Sequence, residues 1–319
     1  MDVLDSILDT LALRGVVYFR SDFSGPWAVR VPPLVPAARF HLVLQGSCHI
    51  EIEDGPSLTL GPGDMVLVPR GRSHMLADRP GRRAAPLETV LQEAGFTGRG
   101  TLTIGKGDPE AATRTFCGHF AFRPMAAHPL IDALPPCILI TAEQRRRHPW
   151  LDAVLDLLGQ RALSADAGAE ATLIRLSEVV FLETLRAGVS ADPALSALVS
   201  GLADPQVGRA VAAIHADPAA GWSVASLAVE AGMSRSVFAE RFAEVIGQPP
   251  MTYLAEWRMQ RALALLEDRR LGVQQVAASV GYASAAAFSR AFAARFGLSP
   301  SAYRQGPTPD DDADRSEAS

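Results

Sequence analysis

Two hydrophobic patterns divide the chain. From about Val16 to Ala121, short apolar runs such as FHLVL, HIEIE and DMVLVP are separated by turn clusters such as EDGPS and LGPGD. Short alternating runs broken by Gly and Pro are typical of antiparallel strands. The pattern predicts a small β-barrel within residues 1–147, as the first part of a multi-domain α+β protein.

The period becomes helical from His148 onwards. In ATLIRLSEVVFLETLRAG, an apolar stripe contains Leu173, Leu176, Val180 and Leu185. We expect residues 148–200 to form a helical linker and, because symmetric pairing is a common outlet for such a stripe, to form a homodimer. The alternative is that the stripe packs on its own barrel.

An internal repeat occupies residues 201–306, where the pattern predicts an all-α domain. The first copy is SLAVEAGMSRSVFAERFAEVIG and the second is QVAASVGYASAAAFSRAFAARFG, and the helix MTYLAEWRMQRALALL joins them. Gly232 and Gly281 suit a turn with positive φ, and Ser234 suits the cap of the next helix. Each copy therefore predicts a helix-turn-helix that binds double-stranded DNA.

Helical geometry separates a buried face from a DNA-contacting face in each second helix. Phe238, Phe242 and Ile246 recur every four residues and should face the core, as should Phe288 in the second copy. An arginine in the middle of the opposite face suits bidentate contact with guanine. The predicted DNA-contacting residues are Arg235, Ser236, Ala239, Glu240, Arg241, Ala285, Ala286, Ser289 and Arg290.

The run from Trp222 to Arg304, with GMSRSVFAERF, GYASAAAFSRAF and GLSPSAYR, resembles the DNA-binding domain of the AraC/XylS regulators. The resemblance implies a transcription regulator whose bases are touched by residues around Ser236, Ala239, Glu240, Ala286, Ser289 and Arg290. If the protein is an activator, the resemblance also implies contact with RNA polymerase. Glu240 and the alanines depart from the larger donors often found in the family, so a DNA sequence preference does not transfer.

Composition agrees with this interpretation once the charge is divided. The chain has a net charge of −5, but Pro205 to Gly306 contains ten arginines and seven acidic residues. Residues 307–319 are acidic and predict a disordered tail. The N-terminus does not resemble a signal peptide, so the expected location is the cytoplasm, with free thiols and no membrane partner.

The spacing Gly63-x5-Pro69-x-Gly71-x2-His74 resembles the second cupin motif, whereas the first motif is degraded. His41 lies on the predicted strand that precedes Gly46. Cys117 and His119 are two residues apart, so they share one face of a strand. We expect His41, His74, Cys117 and His119 to line one pocket. Imidazole and thiolate groups suit zinc or another transition metal, and a lowered Cys117 pKa would instead favour oxidation. Ordinary buried core residues are the third possibility.

The combined prediction is a regulator, not an enzyme, whose cupin-like domain senses a small molecule, a metal or an oxidant. The alternative is a cupin-type metalloenzyme fused to a DNA-binding module. The degraded first motif argues against the enzyme, because catalytic cupins usually keep histidine and carboxylate ligands.

Overall fold

The computed structural model describes residues 6–7, 10–97, 100–132, 134–162, 168–191, 196 and 204–305. It contains two compact units. The N-terminal unit comprises Ala12–Pro124 and Leu130–Ser196, and the C-terminal unit comprises Met1–Leu11, Met125–Pro129 and Ala197–Ser319. The helical segment predicted as a separate linker, residues 148–200, therefore belongs mostly to the same unit as the strands. The predicted acidic tail, residues 307–319, lies outside the described residues.

Two sheets build the N-terminal unit. The strands are β1 (Arg14–Phe23), β2 (Ala28–Val31), β3 (Ala37–Gln45), β4 (Cys48–Ile52), β5 (Ser57–Leu60), β6 (Met65–Val68), β7 (His74–Ala77), β8 (Ala85–Pro86), β9 (Thr101–Ile104), β10 (Thr113–Ala121) and β11 (Ile138–Ile140). One sheet has the order β11-β6-β3-β10-β1-β9 and the other β5-β4-β7-β2-β8. The predicted barrel is thus two separate sheets, and no strand pairing closes them in the described part of the chain.

The alternation of side chains along β3 explains why this unit has two cores. Val43 faces the space between the sheets and packs in a cluster with Trp27, Ile50 and Leu76. Phe40, of opposite parity, stacks on Phe116 and Phe120 with ring centroids 5.7 and 5.1 Å apart. All seven residues from Ala37 to Val43 are buried, so both faces of β3 are covered, and the face towards the second sheet carries Arg39 and His41 beside Val43.

Helices cover the outer face of the six-stranded sheet. The unit's helices are α1 (Leu87–Glu93), α2 (Pro129–Asp132), α3 (Ala142–Arg145), α4 (Pro149–Ala162) and α5 (Ala169–Ala191), with a 3-10 turn at Pro109–Ala111. Phe181 of α5 packs on Phe120 and Phe122, with ring centroids 4.9 and 5.8 Å away. At Gly15 on β1, an added Cβ would lie 2.6 Å from the Ile174 carbonyl oxygen, so strand and helix backbones approach closely.

The apolar stripe of α5 is consequently not free to form a dimer. Leu173, Val180, Phe181 and Leu185 are all buried within the N-terminal unit, whereas Leu176 is half-buried. The alternative of packing on the chain's own sheet is the one observed. Its physical reason is that the outer face of the six-stranded sheet carries phenylalanines that need covering.

The C-terminal unit is helical, as its pattern predicts. Its helices are α6 (Val207–Ala216), α7 (Val224–Ala231), α8 (Arg235–Ile246), α9 (Pro250–Glu267), α10 (Val273–Ser279), α11 (Ala285–Phe296) and α12 (Pro300–Gln305). We call α6–α8 the first lobe and α10–α12 the second lobe. The long helix α9 joins them, with Tyr253 and Phe242 in ring contact in the first lobe and Leu263 packed with Phe288 in the second.

Candidate DNA-binding surface and sensor site

The first helix-turn-helix is formed by α7 and α8. Gly232 ends α7 in the left-handed conformation, with φ +67°, which a residue with a Cβ adopts at a cost. Phe238, Phe242 and Ile246 of α8 are buried, as predicted. The opposite face is open to solvent: Arg235, Ser236, Glu240 and Arg241 are exposed, and Ala239 is half-buried.

The second helix-turn-helix repeats this arrangement with α10 and α11. Gly281 has φ +79°, and Phe288 and Phe292 are buried. Ala286 and Arg290 are exposed, whereas Ala285 and Ser289 are half-buried. All nine predicted DNA-contacting residues thus lie on the accessible side of α8 or α11, although contact with DNA remains a prediction for each.

The two second helices differ at their first residues. Ser284 caps α11, because its side chain accepts a hydrogen bond from the Ala287 amide at 3.2 Å. Ser234 holds the same position before α8, but its side chain makes no such bond. A serine therefore occupies the N-cap position of both helices, but only the serine of the second copy makes a capping hydrogen bond.

One exposed side chain on α8 was missed from the sequence. Val237 is 53% exposed and lies between Ser236 and the buried Phe238. Val237 is about 100° from Phe238 around the helix axis, so the angle alone places it neither in the core nor on the opposite face. Its exposure is decided by the packing around the first turn of α8.

Several arginines of the C-terminal unit bind the protein's own groups. Arg209 donates to the carbonyls of Glu230 and Ala231 at 3.0 and 2.7 Å, and Arg304 to those of Leu266 and Leu271 at 3.2 and 2.7 Å. Counting arginines therefore overstates the charge available to DNA.

Arg241, a predicted DNA-contacting residue, is also engaged. It pairs with Glu244 at 3.0 Å and with Asp204 at 3.3 Å. Hydrogen bonds from the Val207 and Gln206 amides and from Arg241 keep the pKa of Asp204 below its usual range. A phosphate contact by Arg241 must compete with these two carboxylates, whereas Arg235 and Arg290 have no ion pair among the described residues.

In the N-terminal unit, a hydrogen-bonded chain joins three of the four predicted sensor residues. His41 of β3 lies opposite Cys117 of β10 in the sheet register. His41 Nδ1 is 3.0 Å from Cys117 Sγ, and His41 Nε2 is 2.7 Å from Nε2 of His74 on β7. Since β7 belongs to the five-stranded sheet, the pair of imidazoles bridges the two sheets.

The direction of each hydrogen bond follows from its last acceptor. His74 Nδ1 is 2.8 Å from the Arg72 carbonyl oxygen, which only accepts, so Nδ1 carries the proton. Neutral His74 then accepts from His41 Nε2–H. His41 Nδ1 is left as an acceptor, and the Cys117 thiol donates to it.

Burial sets the charge state of this chain. It lowers the pKa of His41 well below its usual value and that of His74 to about 4, and it raises the pKa of Cys117 to about 12. The alternative of a lowered Cys117 pKa is therefore wrong in direction. Desolvation disfavours the thiolate by more than the Thr115 hydrogen bond and the charge of Arg39 favour it.

Arg39 and His119 lie on the same side of the six-stranded sheet as His41. Arg39 is 5% exposed and faces His119 in the register of β3 and β10. Burial, and then the charge of Arg39, lower the pKa of His119 to about 4. His119 is thus near the cluster by position, while the hydrogen-bonded chain passes through the other three residues.

The donor groups do not converge as a metal site requires. His41 presents opposite edges of one ring to Cys117 and His74, so a single ion cannot take both contacts without displacing it. Among the described residues, no group of three or more His, Cys, Asp or Glu side chains is arranged to hold a metal. The residues therefore do not fit the metal that cupins commonly carry.

A small cavity adjoins the cluster between the sheets. Its volume is about 30 Å³, and its walls include Phe23, Trp27, Leu102, Arg39 and Cys117. Phe23 and Trp27 pack with ring centroids 4.8 Å apart. Most of its walls are apolar, Arg39 and His41 are among the polar residues that line it, and its volume suits one or two water molecules.

In the part of the chain that the structure describes, no helix has the length and apolar character needed to cross a membrane.

Comparison with known proteins places both units. Residues 2–190 match the cupin family and residues 227–306 a helix-turn-helix domain family. The chain is 31% identical to the "HTH-type transcriptional regulator AlkR" of Acinetobacter baylyi, over 96% of this chain and 99% of that protein. It is 34% identical to a "Putative AraC-like transcription regulator" of Streptomyces lividans, over 97% and 99%.

A third relative is the "RCS-specific HTH-type transcriptional activator RclR" of Escherichia coli, 26% identical over 96% of this chain and 98% of that protein. Family matches to both units, two helix-turn-helix motifs with left-handed turn glycines, and relatives that align over nearly their whole length agree. The chain belongs to the AraC-type family of DNA-binding transcription regulators, with a cupin domain before its helix-turn-helix domain.

Proposed function

We propose that the cupin domain is the sensor of this regulator and that its signal is a small molecule with an apolar body and an anionic group. The observation that supports this most is Arg39, a buried arginine that lines a mostly apolar cavity. Burial is the main cause of the lowered pKa values of His41, His74 and His119, and the positive charge of Arg39 lowers each of them further, so Arg39 acts on the whole cluster. An anion bound there gains a charge-assisted hydrogen bond in a water-poor environment.

Because the cavity is small, binding of an effector requires a change in the structure of the cupin domain. A volume of about 30 Å³ is too small for an effector larger than a few atoms. Binding of a larger effector must therefore move wall residues such as Trp27, or break the His41–His74 hydrogen bond that joins the two sheets. A ligand that binds only the displaced arrangement shifts the balance between the two states.

Two other signals remain alternatives. An oxidant would act on the Cys117 thiol, and the Escherichia coli relative is named an "RCS-specific" activator. The raised pKa of Cys117 opposes this reaction, because the thiolate is the reactive form. A zinc ion would need His41 to leave its place between Cys117 and His74.

We further propose that the protein activates transcription by contact with RNA polymerase, that it acts in the cytoplasm without enzymatic turnover, and that it is a homodimer.

The dimer surface we propose is the outer face of α4. Trp150 is 80% and Leu157 is 39% exposed, and they lie seven residues apart on one side of the helix, with exposed Ala153 between them.

The sensor is tested with a ligand pair that differs in charge alone. Phenylacetate and phenylacetamide have the same ring and nearly the same shape. We expect the full-length protein to bind phenylacetate more tightly, measured as quenching of tryptophan fluorescence, because only the carboxylate pairs with Arg39. In Arg39→Gln the difference between the two ligands should fall below about twofold, since the charge-assisted bond is lost.

The same samples separate the alternatives. The promoter contains an operator that the protein selects from random duplex DNA, and its transcription is measured with purified RNA polymerase after adding phenylacetate, hypochlorite or zinc. A response to phenylacetate that Arg39→Gln abolishes and Cys117→Ser keeps supports the proposed signal. A response to hypochlorite or zinc that Cys117→Ser abolishes, with no difference between the two organic ligands, rejects it.

A further inference from the structure

A guanidinium group connects the two lobes of the DNA-binding domain. Arg258 lies on α9, and its Nε donates to the Pro218 carbonyl at 2.7 Å while its Nη2 donates to the Ala220 carbonyl at 2.9 Å. Both carbonyls belong to the loop between α6 and α7, in the first lobe. Because an arginine fork is planar, two such bonds fix its direction as well as its position.

The turn of the second lobe lies against the other side of this group. A Cβ added to Gly281 would be 2.8 Å from Arg258 Nη2 and 3.0 Å from Ala219 Cα. No side chain fits at that approach. Gly281 is thus required for its positive φ and also because the first-lobe loop and Arg258 occupy the space next to it.

The loop that accepts these bonds is itself well fixed. Asp217 Oδ1 accepts hydrogen bonds from the amides of Ala219 and Ala220, both at 3.1 Å. The indole of Trp222 donates to the Asp217 carbonyl at 2.8 Å. The loop therefore presents its carbonyls to Arg258 in a defined geometry.

The internal repeat supplies a comparison for Arg258. Arg209 holds the equivalent position 49 residues earlier, and it too lies beside the turn glycine, with Nη2 3.0 Å from a Cβ added to Gly232. Arg209, however, donates to carbonyls at the end of α7, in its own lobe. Arg304 likewise bonds only carbonyls at the end of α9 and in the loop before α10. Of these three arginines, Arg258 is the one that crosses between the lobes.

We propose that Arg258 is a positioning residue that sets the orientation of α8 relative to α11 and thereby the base-pair spacing between the two halves of the operator. Each base pair rotates a site by about 35° around the DNA axis, since one turn takes about 10 base pairs. Two recognition helices held at a fixed angle can occupy successive major grooves at one spacing only. A loosened junction tolerates several spacings, at the cost of affinity for the best one.

The test uses the full-length protein and an operator selected by it from random duplex DNA. Dissociation constants are measured for that operator, for versions with one base pair inserted or deleted between its halves, and for each half alone. For the unaltered protein we expect a change of one base pair to weaken binding about tenfold or more, as a lost half-site contact does.

We call the loss of affinity caused by inserting or deleting one base pair the one-base-pair penalty. In Arg258→Ala we expect the original operator to bind about tenfold more weakly, and the one-base-pair penalty to shrink to about twofold. The affinity for each half alone should stay within about twofold, because the base and phosphate contacts are intact. Arg258→Lys keeps the charge but cannot hold both carbonyls in a fork, so its penalty should lie between the two. It also carries the comparison if the alanine variant does not fold.

Arg304→Ala is the matched control. It removes an arginine whose two carbonyl acceptors lie at the end of α9 and in the loop before α10, outside the first lobe. It should therefore keep the full one-base-pair penalty even if it lowers the melting temperature. The proposal is overturned if Arg258→Ala and Arg258→Lys keep the penalty of the unaltered protein. It is also overturned if they weaken each half-site as much as the whole operator, which would indicate a direct DNA contact or general loss of structure.

Discussion

Arginines of the C-terminal unit differ in what they bind. Arg290 is exposed in the middle of α11, Arg241 pairs with two carboxylates, and Arg258 binds carbonyls between two lobes. Each is a guanidinium on a helix, and each was counted alike in the basic charge of the C-terminal domain. The difference arises from which acceptors lie within reach, and these come from residues up to 40 positions away in the chain.

Arg290 provides the residue-scale prediction. We expect Arg290→Ala to lower affinity for the selected operator by about 1–3 kcal/mol and to relax preference at one base position, because a bidentate contact with guanine is lost. Competition binding against single-base variants of the operator measures both effects.

Arg295→Ala is the control for that measurement. Arg295 is also exposed on α11, but it lies in the last turn beside the ring of Phe296, 5.4 Å from its centroid. Its removal should weaken binding to all sequences by a similar, smaller factor. An Arg290→Ala protein with unchanged base preference would show that α11 does not present this residue to DNA bases.

At the scale of elements, neighbouring sheets decide which face of a helix is free. The stripe of α5 that looked available for a partner is used on the chain's own phenylalanines, as Phe181 shows. The most exposed apolar side chain of the two helices is Trp150 on α4, at 80%, against 40% for Val179 on α5, and the buried Leu151, Leu155 and Leu158 form the inner face of α4. The α4 surface is therefore the one we propose for a dimer through these helices.

We expect the double change Trp150→Ser with Leu157→Asp to give a folded monomer, because a buried carboxylate without a partner would oppose association. Light scattering gives the mass, and circular dichroism gives the helix content. Ala171→Asp, an exposed position at the start of α5, should leave the mass unchanged. A dimer that persists in the double variant, or an unaltered protein that is already monomeric, contradicts this surface.

On the scale of the whole molecule, buried neutral histidines are found in both units. In the C-terminal unit, His128 and His215 both contact the Tyr253 hydroxyl, at 3.2 and 2.7 Å, and burial lowers the pKa of each to about 3. In the N-terminal unit, burial lowers the pKa of His74 to about 4. In each unit, burial disfavours the protonated form of these histidines.

These shifts predict a stability that falls in mild acid. Below the unfolded value of about 6.5, the unfolded chain binds protons that the folded chain does not, so unfolding becomes more favourable as the pH decreases. The loss begins near pH 6.5 and continues towards pH 3–4. At pH 5 it should amount to roughly 1–2 kcal/mol for each deeply buried histidine.

Thermal unfolding between pH 7 and pH 5 measures this loss. The melting temperature should decrease across that range, and His128→Gln should have a shallower decrease because one proton-binding group is removed from the unfolded chain. A melting temperature that is constant from pH 7 to pH 5 would mean that these histidines are not buried in solution.

The helices of the DNA-binding domain and their buried faces could be predicted from the sequence. Helical periodicity, the turn glycines and the spacing of Phe238, Phe242 and Phe288 depend on residues close together in the chain, and the buried and exposed faces follow from them. Helix capping was predicted less well, since the side-chain rotamer of Ser234 depends on more than its position.

The sensor cluster could be predicted only in part. Strand parity placed His41 and Cys117 on one side of a sheet, and the cupin motif pointed His74 inwards. The two open sheets, the ring of His41 between two partners and the raised pKa of Cys117 depend on how distant strands pack and how much water they exclude. Side chains alternate with a fixed period along any strand, whereas distances and desolvation are set by neighbours that folding brings together.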